Sequence, residues 1–408
     1  MNLQRLMNKH LSQDLREQGC ARVASREKML RKTFCVSRVF LKAGAALVLA
    51  AGLAACQSSS KPKPAELPPN VAEMGVNQAW QVQLPEVNFP LVTNVSGDVV
   101  TVASANGVVA AIDARNGVEM WRANVGVPLS AGVGSDGTLS AVVTRNNELI
   151  ALEGGKVLWK RSLGAEVFTP PLVAGRRVFV QAADRTTSAW DGQSGWPLWT
   201  RARTAENLAL RRPGVLLAVG DTLVAGVGGR LVGMSPANGA SLWELPIAAP
   251  RGTNDVERLV DLTGGVSRVS DSVCVRAYFA AVGCVDTLRG TLSWTKPAVG
   301  AEGISGNDEA VYGTESNGTV VAWRRTDGEP VWSVDRYKNR TLTGPLTVGR
   351  TLIFGDSSGI VHFLARASGA PLNRITPDGS AIATAPVLAA NTVVVVTRKG
   401  GVFGYRPQ

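Results

Sequence analysis

The fold is decided by Pro345-Leu346-Thr347-Val348-Gly349-Arg350-Thr351-Leu352-Ile353-Phe354-Gly355-Asp356-Ser357-Ser358-Gly359-Ile360-Val361-His362-Phe363-Leu364-Ala365-Arg366-Ala367-Ser368-Gly369-Ala370-Pro371-Leu372-Asn373. Four short apolar runs, Pro345–Val348, Thr351–Phe354, Ile360–Leu364 and Pro371–Asn373, are separated by Gly, Asp and Ser at roughly ten-residue spacing, which is the pattern of strands joined by tight turns. The unit recurs. Its marker is a Gly followed four residues later by Trp: Gly117/Trp121, Gly155/Trp159, Gly195/Trp199, Gly239/Trp243, Gly290/Trp294 and Gly328/Trp332. Gly369/Asn373 keeps the register without the Trp, and Trp80 stands one period ahead of Trp121. A period near 40 residues is that of a four-stranded propeller blade. The Gly supplies a positive φ that other residues reach at a cost, and the Trp is expected to pack between neighbouring blades.

Eight registers predict an all-β protein, an eight-bladed β-propeller over 75–408 built of four-stranded antiparallel blades. The runs at Pro386–Ala389, Thr392–Val396 and Val402–Tyr405 supply only three strands of the last blade. The fourth is expected from Trp80-Gln81-Val82-Gln83-Leu84, so that the N-terminal strand joins the C-terminal ones and closes the ring. A β-solenoid is the competing architecture.

The N-terminus reads as an export signal. Leu53-Ala54-Ala55-Cys56 is a lipobox, preceded by the apolar stretch Ala43–Leu53 and by Arg31, Lys32, Arg38 and Lys42. Basic region, short apolar core and small-residue cleavage site make a secretory signal, and the apolar run falls short of the ~20 residues of a membrane span. The signal peptide is placed at 1–55, with the true start at Met29, and Cys56 as the lipidated residue. The segment 56–74, rich in Ser and Pro, is read as a flexible tether. Gln57, rather than Asp, follows Cys56, and the resemblance to bacterial lipoproteins implies sorting to the outer membrane.

The net charge of +11 lies largely in the signal: residues 1–55 hold 10 Lys/Arg against 3 Asp/Glu, leaving the rest at +4. With no basic stripe interleaved with aromatics, nucleic-acid binding is not expected. His362 is the one histidine after the signal, and neither a GxSxG elbow nor a GxxxxGK[ST] loop occurs, so two-His metal motifs, elbow-type hydrolases and P-loops are not expected. Asp113, Asp191, Asp286 and Asp327 read as turn residues. No catalytic residue, metal or cofactor is therefore expected, and the chain is read as a non-enzyme.

Cys274 and Cys284 flank a turn near Phe279-Ala280. A two-residue turn would pair 274 with 285, and a three-residue turn would oppose the two cysteines. They are read as two buried small residues, with a disulfide as the alternative in an oxidising compartment.

Two consecutive inter-blade connections are long, Arg201–Arg212 and Glu244–Gly265. Equivalent loops of adjacent blades emerge side by side on one face, and long loops on a rigid scaffold carry function.

The repeat Gly107–Trp121 resembles those of pyrroloquinoline-quinone-dependent dehydrogenases, but the adjacent Cys-Cys pair of those enzymes is absent, so the likeness covers the scaffold. Lipobox, Ser/Pro tether and propeller together resemble the BamB family, lipoproteins of the outer-membrane β-barrel assembly machinery. The family pattern Leu-x-Leu-Arg matches Leu208, Leu210 and Arg211. Its Arg-Leu-x-Asp-x-Asp segment matches Arg258, Leu259 and Asp261, with Thr263 in place of the second Asp. The resemblance implies a scaffold on the periplasmic face of the outer membrane that docks these two loops onto the periplasmic domains of BamA and aids folding and insertion of β-barrels. Other lipoproteins of the assembly complex are implied partners, and nascent outer membrane proteins are candidates, through pairing with exposed blade edges. The alternatives are a propeller lipoprotein for another envelope component such as peptidoglycan, and a quinone-dependent dehydrogenase.

Overall fold

The computed structural model describes residues 62–87, 91–203, 208–254 and 258–407. The signal peptide 1–55, Cys56 and the start of the tether lie outside the described residues, as do parts of both long loops.

Eight antiparallel sheets of four strands follow one another along the chain. The first seven blades span 94–124, 134–162, 172–201, 216–246, 262–297, 304–334 and 346–375. Neighbouring blades touch through their innermost strands, the last touching the first, and at the boundary of the fourth and fifth blades Thr222–Val227 meets the inner strand Leu262–Val269, so the ring is complete. The eighth blade combines Val387–Ala389, Thr392–Val396 and Gly401–Pro407 with Val76–Gln83 from the other end of the chain. The closing ladder runs from Val76 opposite Pro407 to Gln83 opposite Gly401. The N-terminal strand is longer than the expected Trp80–Leu84 but pairs as expected.

The core lies within and between the blades. The two middle strands of each blade are buried on both faces, as in Leu139–Val143 and Thr392–Val396, which explains their continuous apolar runs. The repeat marker has a physical reason. Each Trp lies on the outer strand of one blade and packs against the turn glycine of the next: Trp80 on Gly117, Trp159 on Gly195, Trp294 on Gly328, Trp332 on Gly369. At Gly195, φ is +67° and a Cβ would come within 2.6 Å of the Trp159 ring, so both the backbone and the space demand glycine. Five of the indoles also donate to a carbonyl of that turn, as Trp159 Nε1 does to Gly192 O at 2.8 Å.

Asn373 breaks the pattern because its neighbour differs. In the eighth blade the third and fourth strands, Gly401–Pro407 and Val76–Gln83, are not joined by a turn as they are in other blades, so an indole at 373 would have no turn glycine to cover. The incoming N-terminal segment takes that place: Asn373 Nδ2 donates to Met74 O at 2.6 Å, and Asn70 Nδ2 donates to Asn373 Oδ1 at 2.8 Å. The part of the tether from Lys63 to Met74 is thus laid against the seventh blade, where composition alone had suggested free chain.

The cysteine reading is corrected. The turn between Ser272–Ala277 and Ala281–Asp286 has three residues, Tyr278-Phe279-Ala280, so Cys274 stands directly opposite Cys284 and the two form a disulfide. Phe279, at φ +50°, adopts the left-handed conformation that the tight turn requires. Both sulfurs are fully buried.

Candidate functional site

The connections between one blade's outer strand and the next blade's inner strand all emerge on one face, together with the turns between second and third strands. The two longest are 202–215, between the third and fourth blades, and 247–261, between the fourth and fifth. They carry all six residues singled out in the sequence.

The structure divides these six residues. Leu208 is 40% exposed, and the Arg211 side chain is 76% exposed, with its guanidinium over the Phe168 ring and 3.5 Å from Glu166. Arg258 is exposed, and its N–H bonds to Asn254 O at 3.1 Å. Leu210 and Leu259 are half-buried. Leu259 lines a cavity of about 500 Å³ shared with Ile247, Arg251, Tyr278 and Phe279.

Asp261 is only 7% exposed. Its Oδ2 accepts the Leu210 N–H at 2.8 Å, and its Oδ1 meets Arg185 Nη2 at 2.6 Å. Arg185 also donates to Leu208 O at 2.9 Å. One buried carboxylate and one guanidinium therefore join the two loops, and the Tyr278 N–H donates to Asp261 O at 2.9 Å from the neighbouring turn. One oxygen of this carboxylate is hydrogen-bonded by backbone and the other is ion-paired, so Asp261 shapes the surface from beneath while Leu208 and Arg211 form it. Thr263, where the family pattern has its second Asp, is buried at the start of an inner strand and 3.5 Å from the Arg276 carbonyl.

Sequence reasoning missed four contributors. Arg185 lies in the turn Asp184-Arg185-Thr186 of the third blade, remote in sequence from its partners. Phe168 stacks under Arg211. Tyr278 and Phe279 sit edge-to-face at 4.6 Å, with Arg212 6.0 Å over the Tyr278 ring. The only signal for them was a pair of adjacent aromatics in a tight turn beside a long loop.

Beside the loops opens the central channel, a cavity of about 550 Å³ lined by Thr263 and Gly264 of one inner strand and by Gly303 and Gly344 just ahead of the next two. Arg212 bridges to Glu302 at 2.5 Å at its rim. Among the described residues, no group of three or more His, Cys, Asp or Glu is placed to hold a metal ion. His362 is buried in the seventh blade, 3.0 Å from Asp356, stacked on Phe354 and edge-on to Tyr337.

Comparison with known proteins bears on this surface. Residues 105–334 match the family model described as outer membrane protein assembly factor BamB. The chain is 38% identical over 361 residues to the outer membrane protein assembly factor BamB of Burkholderia pseudomallei, covering 87% of this chain and 95% of that one. With the Bordetella pertussis protein of the same description it shares 32% over 348 residues, 84% of this chain and 90% of that one. The crystal structure of BamB from Moraxella catarrhalis superposes with a TM-score of 0.74 at 25% identity, over 81% of this chain and all of that one. A quinohemoprotein alcohol dehydrogenase from Comamonas testosteroni superposes at 0.62 with 15% identity, over 82% of this chain and 77% of that one, a likeness of fold alone. The chain belongs to the BamB family of outer membrane protein assembly factors.

Proposed function

We propose that the protein is a non-catalytic scaffold lipoprotein of the outer-membrane β-barrel assembly machinery, held at the periplasmic face of the outer membrane by acyl chains on Cys56. It docks the periplasmic domains of BamA through the loops around Leu208, Leu210, Arg211 and Arg258, Leu259, Asp261, and so assists folding and insertion of β-barrel proteins. The observation that carries the reading is the joining of the two longest loops by Asp261 and Arg185 into one surface with Leu208 and Arg211 outermost. An exposed Leu beside an Arg held over an aromatic ring is a composition that protein interfaces favour at their energetic centres. A rigid platform also loses little conformational freedom on binding.

The test is capture of purified BamA periplasmic domains by the lipid-free chain and by Leu208→Ala and Arg211→Ala variants. Both positions are exposed, so the variants should keep the wild-type melting temperature. Loss of capture by tenfold or more supports the reading. Undiminished capture by both variants moves the interface elsewhere on the propeller. No capture by folded wild type at tens of micromolar removes BamA as the direct partner.

A further inference from the structure

The segment ahead of the first strand is placed by the fold in a way that bears on the membrane. The segment from Lys63 starts on the connection between the sixth and seventh blades at Lys338–Arg340, and its residues Asn70–Met74 lie along the outer strand of the seventh blade, Pro371–Ile375, against its direction. Ala65 N–H donates to Lys338 O at 2.9 Å, and Glu73 N–H to Leu372 O at 2.8 Å. Asn70 and Asn373 bond to each other at 2.8 Å. Arg340 holds the Ala65 carbonyl with Nε and Nη2 at 3.1 and 3.0 Å, while its Nη1 is fixed by buried Asp356 at 3.0 Å. Leu67 packs on the cluster around Tyr337.

Two further facts give this strap a direction. Its Lys63 end meets the connection between the sixth and seventh blades, which belongs to the same face as the two long loops. And Lys63 lies only seven positions after Cys56, with six residues between them, a chain length of at most about 25 Å.

We propose that residues 63–74 are a docking strap that makes the lipid anchor leave the propeller at a fixed point on the loop-bearing face, so that this face is held toward the bilayer. The inference rests on the lipidation of Cys56 proposed above. Asn373, the break in the Trp repeat, is the strap's receptor: the blade beside the chain termini exchanges an indole for an amide that binds backbone. A free tether from Cys56 to the first strand would let the ring turn over. A strap seated on the seventh blade fixes the point from which the chain leads back to Cys56.

The experiment uses the full lipidated protein in vesicles of phosphatidylethanolamine and phosphatidylglycerol. Flotation with the vesicles and the mass of the Cys56 peptide test the anchor, and a protein that neither floats nor carries acyl chains overturns the proposal at its premise. The strap is read independently, by hydrogen exchange of 63–74. Wild type is expected to protect this peptide at least tenfold over the rate of free chain. Asn373→Trp, which fills the receptor, and the milder Asn70→Ala are expected to lose that protection while the blades stay protected. Free-chain exchange in wild type overturns the strap. Orientation is read by energy transfer from a dye at Lys399→Cys on the loop face, or at Asp221→Cys on the opposite face, to an acceptor lipid. Transfer is expected to be stronger from 399, and the difference should shrink in Asn373→Trp. Equal transfer from the two wild-type sites, or stronger transfer from 221, overturns the orientation.

Discussion

Replacing Asp261 by Ala should separate shaping from contact at the loop pair. The carboxylate is 7% exposed and has two charge-assisted partners, the Leu210 N–H and Arg185. Leaving a buried charge without its partner costs about 3–5 kcal/mol when the site cannot relax. Here it can: the Arg185 side chain is 11% exposed and keeps the Leu208 carbonyl. The loss should therefore fall to the about 1.5–3 kcal/mol of a hydrogen bond to a charged group. At about 1.4 kcal/mol per factor of ten, loop opening rises roughly tenfold to hundredfold, while the blades, which do not depend on this bond, keep their melting temperature. Capture of the BamA periplasmic domains should weaken by no more than that factor, since affinity scales with the fraction of protein in the competent state. Asp261→Asn keeps an acceptor for Leu210 and should retain most of the binding. Arg185→Ala should reproduce Asp261→Ala, and the double variant should be no worse than either alone, because both remove one joint. The assay is hydrogen exchange at Leu210 beside capture by each variant. If Asp261→Ala abolishes capture while exchange at Leu210 is unchanged, Asp261 meets the partner directly and the reasoning is wrong.

Gly195→Ala would force a Cβ within 2.6 Å of Trp159 at φ +67°, and strain plus overpacking should destabilise the protein by about 2–4 kcal/mol, measured as a lower denaturant midpoint. Removing residues 399–408 takes out Gly401–Pro407, which pairs with strands on both sides, so circular dichroism should show loss of the whole cooperative transition. Replacing Cys274 and Cys284 by Ala removes a crosslink spanning ten residues and should cost about 2–3 kcal/mol, while reductant without denaturant should leave the buried bond intact in the native protein. Burial pushes the His362 pKa down from 6.5, and the hydrogen bond with Asp356 only partly offsets this. The unfolded chain then binds the extra proton more readily, so this contribution to stability is complete above pH 6.5 and is lost as the pH falls below it. Melting in that window should flatten in His362→Gln.

The repeat was legible because its marker reports a local contact made many times over. A Trp and a turn Gly meet across every blade boundary that has a turn, and a single sequence therefore samples the same constraint repeatedly. The exception at Asn373 was visible, but its cause was not, because the reason lies at the other end of the chain, where the N-terminal segment fills the place of the missing turn. The disulfide hinged on one residue of turn length. Tyr278-Phe279-Ala280 contains no Gly or Asn to announce a left-handed position, so the residues alone left open the register that brings Cys274 opposite Cys284.

The site shows the same division in sharper form. Loop length and the resemblance together found the right two connections, since an insertion into a periodic pattern is visible by subtraction. They did not distinguish Arg211, which projects, from Asp261, which is buried, because a motif records that a residue matters and not the side from which it acts. Arg185 is the converse case. Alone in an Asp-Arg-Thr turn it looks like a surface residue, yet it reaches Leu208 and Asp261 in two different loops. A propeller allows this because its turns and connections converge on one face, so residues far apart in the chain become neighbours around the ring. The scaffold fixes where loops emerge, and one buried ion pair between them fixes which side chains they present.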